Sequence, residues 1–349
     1  MARRRMCGSE HHGELAEGCK HCIKGAKMVL FVTGKCGWNC FYCPVSLEKK
    51  GYDVVYANEA RVYTDEEILA EARSMDATGT GITGGDPLCV MDRTLHMIRL
   101  LKDAFGPGHH IHLYTATMDP EKVRILADAG LDEIRFHPPE SLWSRMNETK
   151  LAEITSIPGL DVGIEVPALV DCENELAEMV QYAKDAGVKF VNMNELEFSE
   201  SNWDMMSDKH YEVLDDVSSA VLGSRETALK VLDGFKDYNV HFCSSPFKDG
   251  VQLRRRLIRK AEIIRKPYQE VTDDGTLIRG FLYTDNPAET VGFLKEHKVP
   301  DSMYEILENK IEVAPRYLER IAPKTRFKCC LSEQYPTADG LEVERTPLN

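Results

Sequence analysis

Three cysteines stand as Cys36-x3-Cys40-x2-Cys43, directly after the apolar run Lys27–Thr33. A compact loop with this spacing can bring three thiolates onto one iron–sulfur cubane and leaves its fourth iron without a protein ligand. Zinc is the competing occupant, but structural zinc usually takes a fourth ligand from a second Cys or His knuckle. Tyr42, just before the third cysteine, and the glycine-rich segment Gly84-Gly85-Asp86-Pro87, one helix further on, weigh for the cluster.

Cys19-Lys-His-Cys22 is a second close pair, with Cys7, His11 and His12 upstream and Cys329-Cys330 near the C-terminus. Two thiols separated by two residues can grip one ion or cluster. In a reducing compartment such pairs bind metal more often than they form disulfides. The pair is therefore read as a second site, for an iron–sulfur cluster or zinc, against the alternative of free surface thiols. Cys7 is the nearest further ligand in sequence; Cys329 or Cys330 would require the C-terminus to fold back. The isolated Cys89, Cys172 and Cys243 read as small buried hydrophobes.

The elements that must position these residues alternate between strand and helix patterns. Lys27–Thr33, Gly79–Gly85, His110–Thr115, Asp132–Phe136, Val162–Val166 and Val188–Asn192 read as strands, with a further one at Val240–Cys243. Between them, Thr64-Asp-Glu-Glu67 is a capping box opening a helix, and Asp119–Gly130 is a helix closed by its glycine. This alternation predicts a parallel sheet with helical crossovers, a partial (β/α)6-type barrel. Three segments are expected: 1–25, carrying the second cysteine pair; 26–245, the barrel; and 246–349, a smaller α+β extension. The extension holds a basic amphipathic helix, Lys248–Lys266, and a hairpin, Val271–Tyr283, around Asp274-Gly275.

In a parallel sheet the C-terminal strand ends face the ligand crevice. That places Gly84–Pro87, Thr115, Thr117, Arg135, His137, Glu165, Asn192 and Asn194 at the mouth, although a core or surface role is the plainer reading for most of them. Glu195 and Glu197 are candidates for substrate groups or a solvated loop. The net charge of −14 disfavours a general nucleic-acid coat. No apolar stretch reaches the ~20 residues needed to span a membrane. With no secretory signal after the basic start, a cytoplasmic location is expected.

The segments GCKHCIKGAKMVLFVTGKCGWNCFYCP, TGITGGDPL and DEIRFHP resemble the radical S-adenosylmethionine superfamily, within an archaeal group related to pyruvate formate-lyase activating enzyme. The resemblance extends over most of the chain, including FCSSPFKDGVQLRRRLIRKAE and LEVERTPL. It implies a 4Fe–4S cluster on Cys36, Cys40 and Cys43, with the open iron chelated by the methionyl amine and carboxylate of S-adenosylmethionine. Reductive cleavage would give a 5′-deoxyadenosyl radical that abstracts hydrogen from a protein or small-molecule substrate, with a ferredoxin or flavodoxin as electron donor. Gly84–Asp86 resembles the superfamily's GGE segment, with Asp86 in place of the commoner glutamate, and implies a backbone cradle for the methionyl amine. By position, Thr115 and Thr117 would meet the ribose, and Arg135 and His137 the methionyl carboxylate. Two other functions compete. An RNA-modifying radical enzyme would dock anions through Arg255 and Arg259, and a non-catalytic iron–sulfur or zinc module would keep only the fold.

Overall fold

The computed structural model describes residues 3–349, which fall into two compact units. One comprises residues up to Arg73 with Ala77–Leu253, the other Ser74–Asp76 with Arg254–Asn349.

In the first unit eleven strands form one sheet. They are β1 (Arg4–Met6), β2 (Ser9–His12), β3 (Lys27–Phe31), β4 (Tyr56–Ala57), β5 (Ala60–Arg61), β6 (Gly79–Thr83), β7 (His110–Thr115), β8 (Glu133–Phe136), β9 (Asp161–Pro167), β10 (Phe190–Asn194) and β11 (Val240–Cys243). The central run β3-β6-β7-β8-β9-β10-β11 is parallel throughout. Helices Met91–Phe105, Pro120–Asp128, Glu173–Asp185 and Ser224–Gly234 supply crossovers. The sheet does not close on itself. Antiparallel β4 and β5 flank β3 at one edge, and antiparallel β2 and β1 flank β11 at the other. The result is a partial α/β barrel whose seven parallel strands are the six expected plus the further one at Val240–Cys243. The N-terminal segment does not stand apart: β2 joins the sheet, and Ser9 Oγ accepts from the Ser244 backbone N–H at 2.9 Å.

Strand alternation sorts side chains onto two faces. Met28, Leu30, Ile82, Leu113, Ile134, Ile164, Met193 and Phe242 are fully buried on the helix-covered face. The opposite face is polar: His112, Tyr114, Arg135, Glu165, Asn192 and His241 come from neighbouring strands, in register across the sheet. Helix α1 (Glu17–Ile23) packs against this face at β3, β6 and β7. It fits because Gly18 has no side chain: a Cβ there would stand 2.6 Å from an Arg135 guanidinium nitrogen and 2.7 Å from His112 Nδ1.

The second unit is a smaller α+β fold. Its strands are β12 (Glu270–Val271), β13 (Leu277–Tyr283), β14 (Tyr304–Ile306), β15 (Lys310–Val313), β16 (Cys329–Gln334) and β17 (Glu342–Pro347), all antiparallel. The hairpin expected around Asp274-Gly275 is β12–β13, with Gly275 at φ +86° in the turn. Leu282, Leu294, Ile311, Val313, Leu318 and Ile321 form its core. The basic stretch read as one helix is two: a π-helical turn, Lys248–Leu253, then an α-helix, Arg254–Ile264. Several of its cations are taken up locally, Arg254 by Asp274, Arg265 by Glu262 and Lys266 by Glu305.

Among the described residues, no helix is long and apolar enough to cross a membrane.

Candidate active site

β3 delivers the chain into the Cys36–Cys43 loop, and the first turns of that loop are fixed by backbone. Gly85 N–H donates to the Thr33 carbonyl at 2.7 Å and Asp86 N–H to that of Lys35 at 2.8 Å, extending the β3–β6 pairing past the strand ends. Gly34 N–H donates to the Tyr52 carbonyl at 2.7 Å, and Gly51 N–H to that of Gly34 at 2.8 Å. Asp53 clamps the same region, accepting from Thr33 Oγ1 at 3.1 Å, Lys35 Nζ at 3.0 Å and Arg93 Nη1 at 2.6 Å. Hydrogen bonding from Arg93, then Lys35, holds the Asp53 carboxyl well below the usual carboxylate range. This clamp was missed in the sequence, where Asp53 is one acid in an unpatterned loop.

Beyond the loop lies a cavity of about 480 Å³, within the range of small-molecule sites. Its wall includes all three loop thiols, Cys36, Cys40 and Cys43, together with Tyr42, Gly84, Gly85, Thr115, His137, Glu165 and Asn194. Most of the expected mouth residues are thus brought together. Trp38, Lys50 and Tyr114 also line it and were not singled out in the sequence.

The internal bonding redistributes the expected roles. Asp86 is buried, and its carboxylate is filled by protein donors: Leu88 N–H at 3.0 Å, Thr115 Oγ1 at 2.7 Å and Thr117 Oγ1 at 2.8 Å. These three side chains hold one another at the ends of β6 and β7. Pro87 starts a 3-10 turn, and its carbonyl accepts from Thr94 Oγ1. The two glycines serve close backbone contact within the protein. A Cβ on Gly84 would lie 2.5 Å from the Thr33 carbonyl oxygen, and one on Gly85 2.4 Å from that of Lys35.

His137 is oriented on both sides. Its Nδ1 is 2.8 Å from the Glu165 carbonyl, which can only accept, so Nδ1 carries the proton and Nε2 accepts from the Tyr42 hydroxyl at 3.3 Å. Burial lowers its pKa and keeps the ring neutral. Tyr42, between Cys40 and Cys43 in sequence, is thereby tied to the sheet, and its carbonyl accepts from Asn202 Nδ2 at 3.1 Å.

A second cavity of about 190 Å³ lies along the polar inner face. Arg135 and Asn192, expected at the mouth, line this one instead, and Tyr114, Glu165 and Asn194 wall both cavities. Arg135 Nε donates to Glu133 Oε1 and Nη1 to Glu165 Oε2, both at 2.6 Å, and its guanidinium stacks 5.3 Å from the Phe190 ring centroid. Burial alone would raise the Glu165 pKa; Arg135, Asn192 and Asn194 overcome it and hold the carboxyl at about 2.

Cys19 and Cys22 line this second cavity, joined by Cys243. Cys7 sits elsewhere, exposed in the β1–β2 turn, with its carbonyl accepting from Ser244 Oγ at 3.0 Å. Cys329 and Cys330 are buried on β16 of the second unit. Of the cysteines read as isolated hydrophobes, Cys89 is exposed and Cys172 half-buried. Among the described residues, no three Cys, His, Asp or Glu side chains converge closely enough to chelate a single ion. Glu195 and Glu197 lie apart from the larger cavity's wall: Glu195 accepts from Ser245 N–H at 2.7 Å, and Glu197 pairs with Lys248 at 2.8 Å.

The chain is similar to known proteins. The family model for the radical SAM superfamily matches residues 30–139, and a domain of unknown function, DUF8061, matches 275–348. A protein of Methanocaldococcus jannaschii, provisionally named a glycyl-radical enzyme activating enzyme, is 42% identical over 358 residues, covering 97% of this chain and 94% of that protein. Among solved structures, Streptococcus suis SuiB bound to S-adenosylmethionine aligns at 10% identity with a TM-score of 0.44, over 72% of this chain and 59% of SuiB. HydG, a maturase of the [FeFe]-hydrogenase, aligns at 14% identity with a TM-score of 0.44, over 69% of this chain and 66% of HydG. The match to the superfamily model across the cysteine loop and the near full-length relative establish that the chain belongs to the radical SAM superfamily and is a radical SAM enzyme.

Proposed function

We propose that Cys36, Cys40 and Cys43 hold a 4Fe–4S cluster and that the 480 Å³ cavity beside them receives S-adenosylmethionine. The observation that carries this reading is the shared wall: three thiols, a glycine pair and an oriented histidine all face one ligand-sized space. When bound, the cluster supplies the electron that splits the sulfonium carbon–sulfur bond and starts hydrogen abstraction. The protein's part is positioning. Asp53 and the Gly84–Asp86 backbone fix the start of the thiol loop, while His137 and Asn202 fix Tyr42 within it. The Asp86–Thr115–Thr117 bonds keep the ends of β6 and β7 together, so the cavity wall is preformed. Pro44, Val45, Ala116 and Trp38 add apolar surface that limits water around a reactive species.

The relative's name supports a protein substrate, and a glycyl-radical enzyme is the class we favour. The electron would come from a ferredoxin- or flavodoxin-type donor. The reading is tested by equilibrium binding of S-adenosylmethionine to anaerobically reconstituted protein. The wild type should bind. His137→Ala removes the Tyr42 hydroxyl's tie to the sheet, leaving it only the Cys40 side chain, and should bind roughly tenfold more weakly, the effect of about 1.4 kcal/mol of a lost buried hydrogen bond. A wild type that carries the cluster but does not bind S-adenosylmethionine would overturn the reading.

A further inference from the structure

We propose that Cys19, Cys22 and Cys243 hold a second iron–sulfur cluster inside the barrel, with Lys27 as its counter-charge. The site is independent of the assignment of the larger cavity and uses none of its thiols.

The sulfurs come from two elements that only the fold brings together. Cys19 and Cys22 are three residues apart on α1, hence on one helix face. Cys243 ends β11, more than two hundred residues on, and all three line the 190 Å³ cavity. Their surroundings suit ligating sulfur. Asn192 Nδ2 donates to Cys19 Sγ at 3.3 Å, and Gln252 Nε2 to Cys243 Sγ at 3.6 Å. Gln252 also meets Cys22, whose thiol donates to its Oε1 at 2.9 Å. Side-chain amides that donate to the sulfurs stabilise thiolates and orient ligands. Gln252 is carried by the π-helical turn Lys248–Leu253, a rare conformation found mostly at functional sites.

Charge gives an independent pointer. Lys27, the first residue of β3, lines the same cavity, and no carboxylate among the described residues pairs with it. Glu165 acts on it electrostatically, but that carboxylate is shared with Arg135 and two amides. A part-buried ammonium lining a cavity with no carboxylate in ion-pair contact favours an anion there. Three thiolates around a cationic iron–sulfur core carry net negative charge and supply the missing counter-ion. Size argues against a single ion. Zinc–sulfur bonds of ~2.3 Å would draw the thiolates to about 4 Å from one another. No three ligand-type side chains among the described residues converge that far, whereas the cavity has room for a larger inorganic core. Through Tyr114, Glu165 and Asn194 this core would share a wall with the larger cavity, one side chain away.

The test is anaerobic reconstitution of the full chain carrying alanine at Cys36, Cys40 and Cys43, followed by iron, acid-labile sulfide and zinc analysis. Iron with matching sulfide should remain, and adding Cys243→Ser should remove at least nine-tenths of it. Cys89→Ser, at an exposed cysteine outside both cavities, should leave it unchanged. Metal-free triple variant, zinc without sulfide, or iron indifferent to Cys243→Ser would each overturn the proposal. Should the Cys243→Ser chain fail to fold, cluster stoichiometry by Mössbauer spectroscopy decides. Twice as much cluster in the wild type as in the triple variant supports the second site, and none in the triple variant refutes it.

Discussion

Arg135→Met tests whether the polar inner face is held together by one guanidinium. Arg135 is about 2% exposed and Glu133 not exposed at all, and the two Arg135 contacts to Glu133 and Glu165 are each 2.6 Å. Removing the cation leaves two sequestered carboxylates facing each other across the lost side chain. Breaking a buried ion pair from one side costs about 3–5 kcal/mol. In a unit of this size each kcal/mol lowers Tm by roughly 2–4 °C, so a fall of about 6–20 °C is expected at pH 7. The pH dependence supplies a signature that a packing defect would lack. In the wild type the Glu165 carboxyl is held at about 2 against an ordinary value near 4.5. Its folded pKa is depressed, so its stabilisation, about 3 kcal/mol, is complete above pH 4.5 and lost as pH falls toward 2. Without Arg135, burial is opposed only by the two amides and Lys27, and that pKa rises. The variant's deficit should therefore be largest at neutral pH and shrink on acidification toward pH 5, as the carboxyl takes up a proton. Arg135→Lys keeps the charge without the fork and should fall between. Thermal melts of cluster-free protein from pH 5 to 8 measure this. A Tm within 2 °C of wild type at pH 7, or a deficit that does not change with pH, would refute the reasoning.

Two glycines give further expectations. Gly85→Ala places a Cβ 2.4 Å from the Lys35 carbonyl, so the thiol loop itself must shift; iron incorporation at Cys36, Cys40 and Cys43 should fall by more than half together with S-adenosylmethionine binding, and full iron content would contradict the contact. In Gly163→Ala the new Cβ meets the Phe190 ring at 2.2 Å; overpacking of about 1–3 kcal/mol should lower Tm by roughly 2–12 °C, read by the same melts, and an unchanged Tm would show that the ring can move away.

Much of the barrel was legible because its strands are apolar on the helix-covered face. His110–Thr115 and Val240–Cys243 begin and end where the sequence pattern does, and the capping box at Thr64 is made, Glu67 N–H donating to Thr64 Oγ1 and Glu67 accepting from the Thr64 N–H. The N-terminal hairpin was not legible. Arg4–Met6 and Ser9–His12 have no apolar alternation; Ser9–His12 becomes a strand by pairing with β11, and Arg4–Met6 by pairing with Ser9–His12. The thiol loop could be proposed from spacing, since its three cysteines are local in sequence. Cys243 could not: a single cysteine in an apolar strand looks like a small hydrophobe until the fold places it beside Cys19 and Cys22. Arg135, Asp86 and Thr117 illustrate the opposite limit. Position put them at strand ends and so suggested ligand contacts, yet Arg135 bonds Glu133 on its own strand and Glu165 on the next, and Asp86 and Thr117 bond each other from the ends of β6 and β7, pairings set by strand face and sheet register. The basic segment after Ser245 has helical periodicity throughout, and the break at Leu253 comes from a π turn that leaves no periodic signal.

The central claim, that the loop thiols initiate radical chemistry, is tested most directly by 5′-deoxyadenosine release. Anaerobically reconstituted, reduced protein is incubated with S-adenosylmethionine, and the product is quantified by chromatography beside the variant with alanine at Cys36, Cys40 and Cys43. The wild type should form 5′-deoxyadenosine over many minutes, and the variant should fall to the level of the protein-free control, whatever iron it keeps elsewhere. Equal release by the variant would contradict the assignment of these three cysteines, and no release by a cluster-loaded wild type would contradict the reading of the site as a whole.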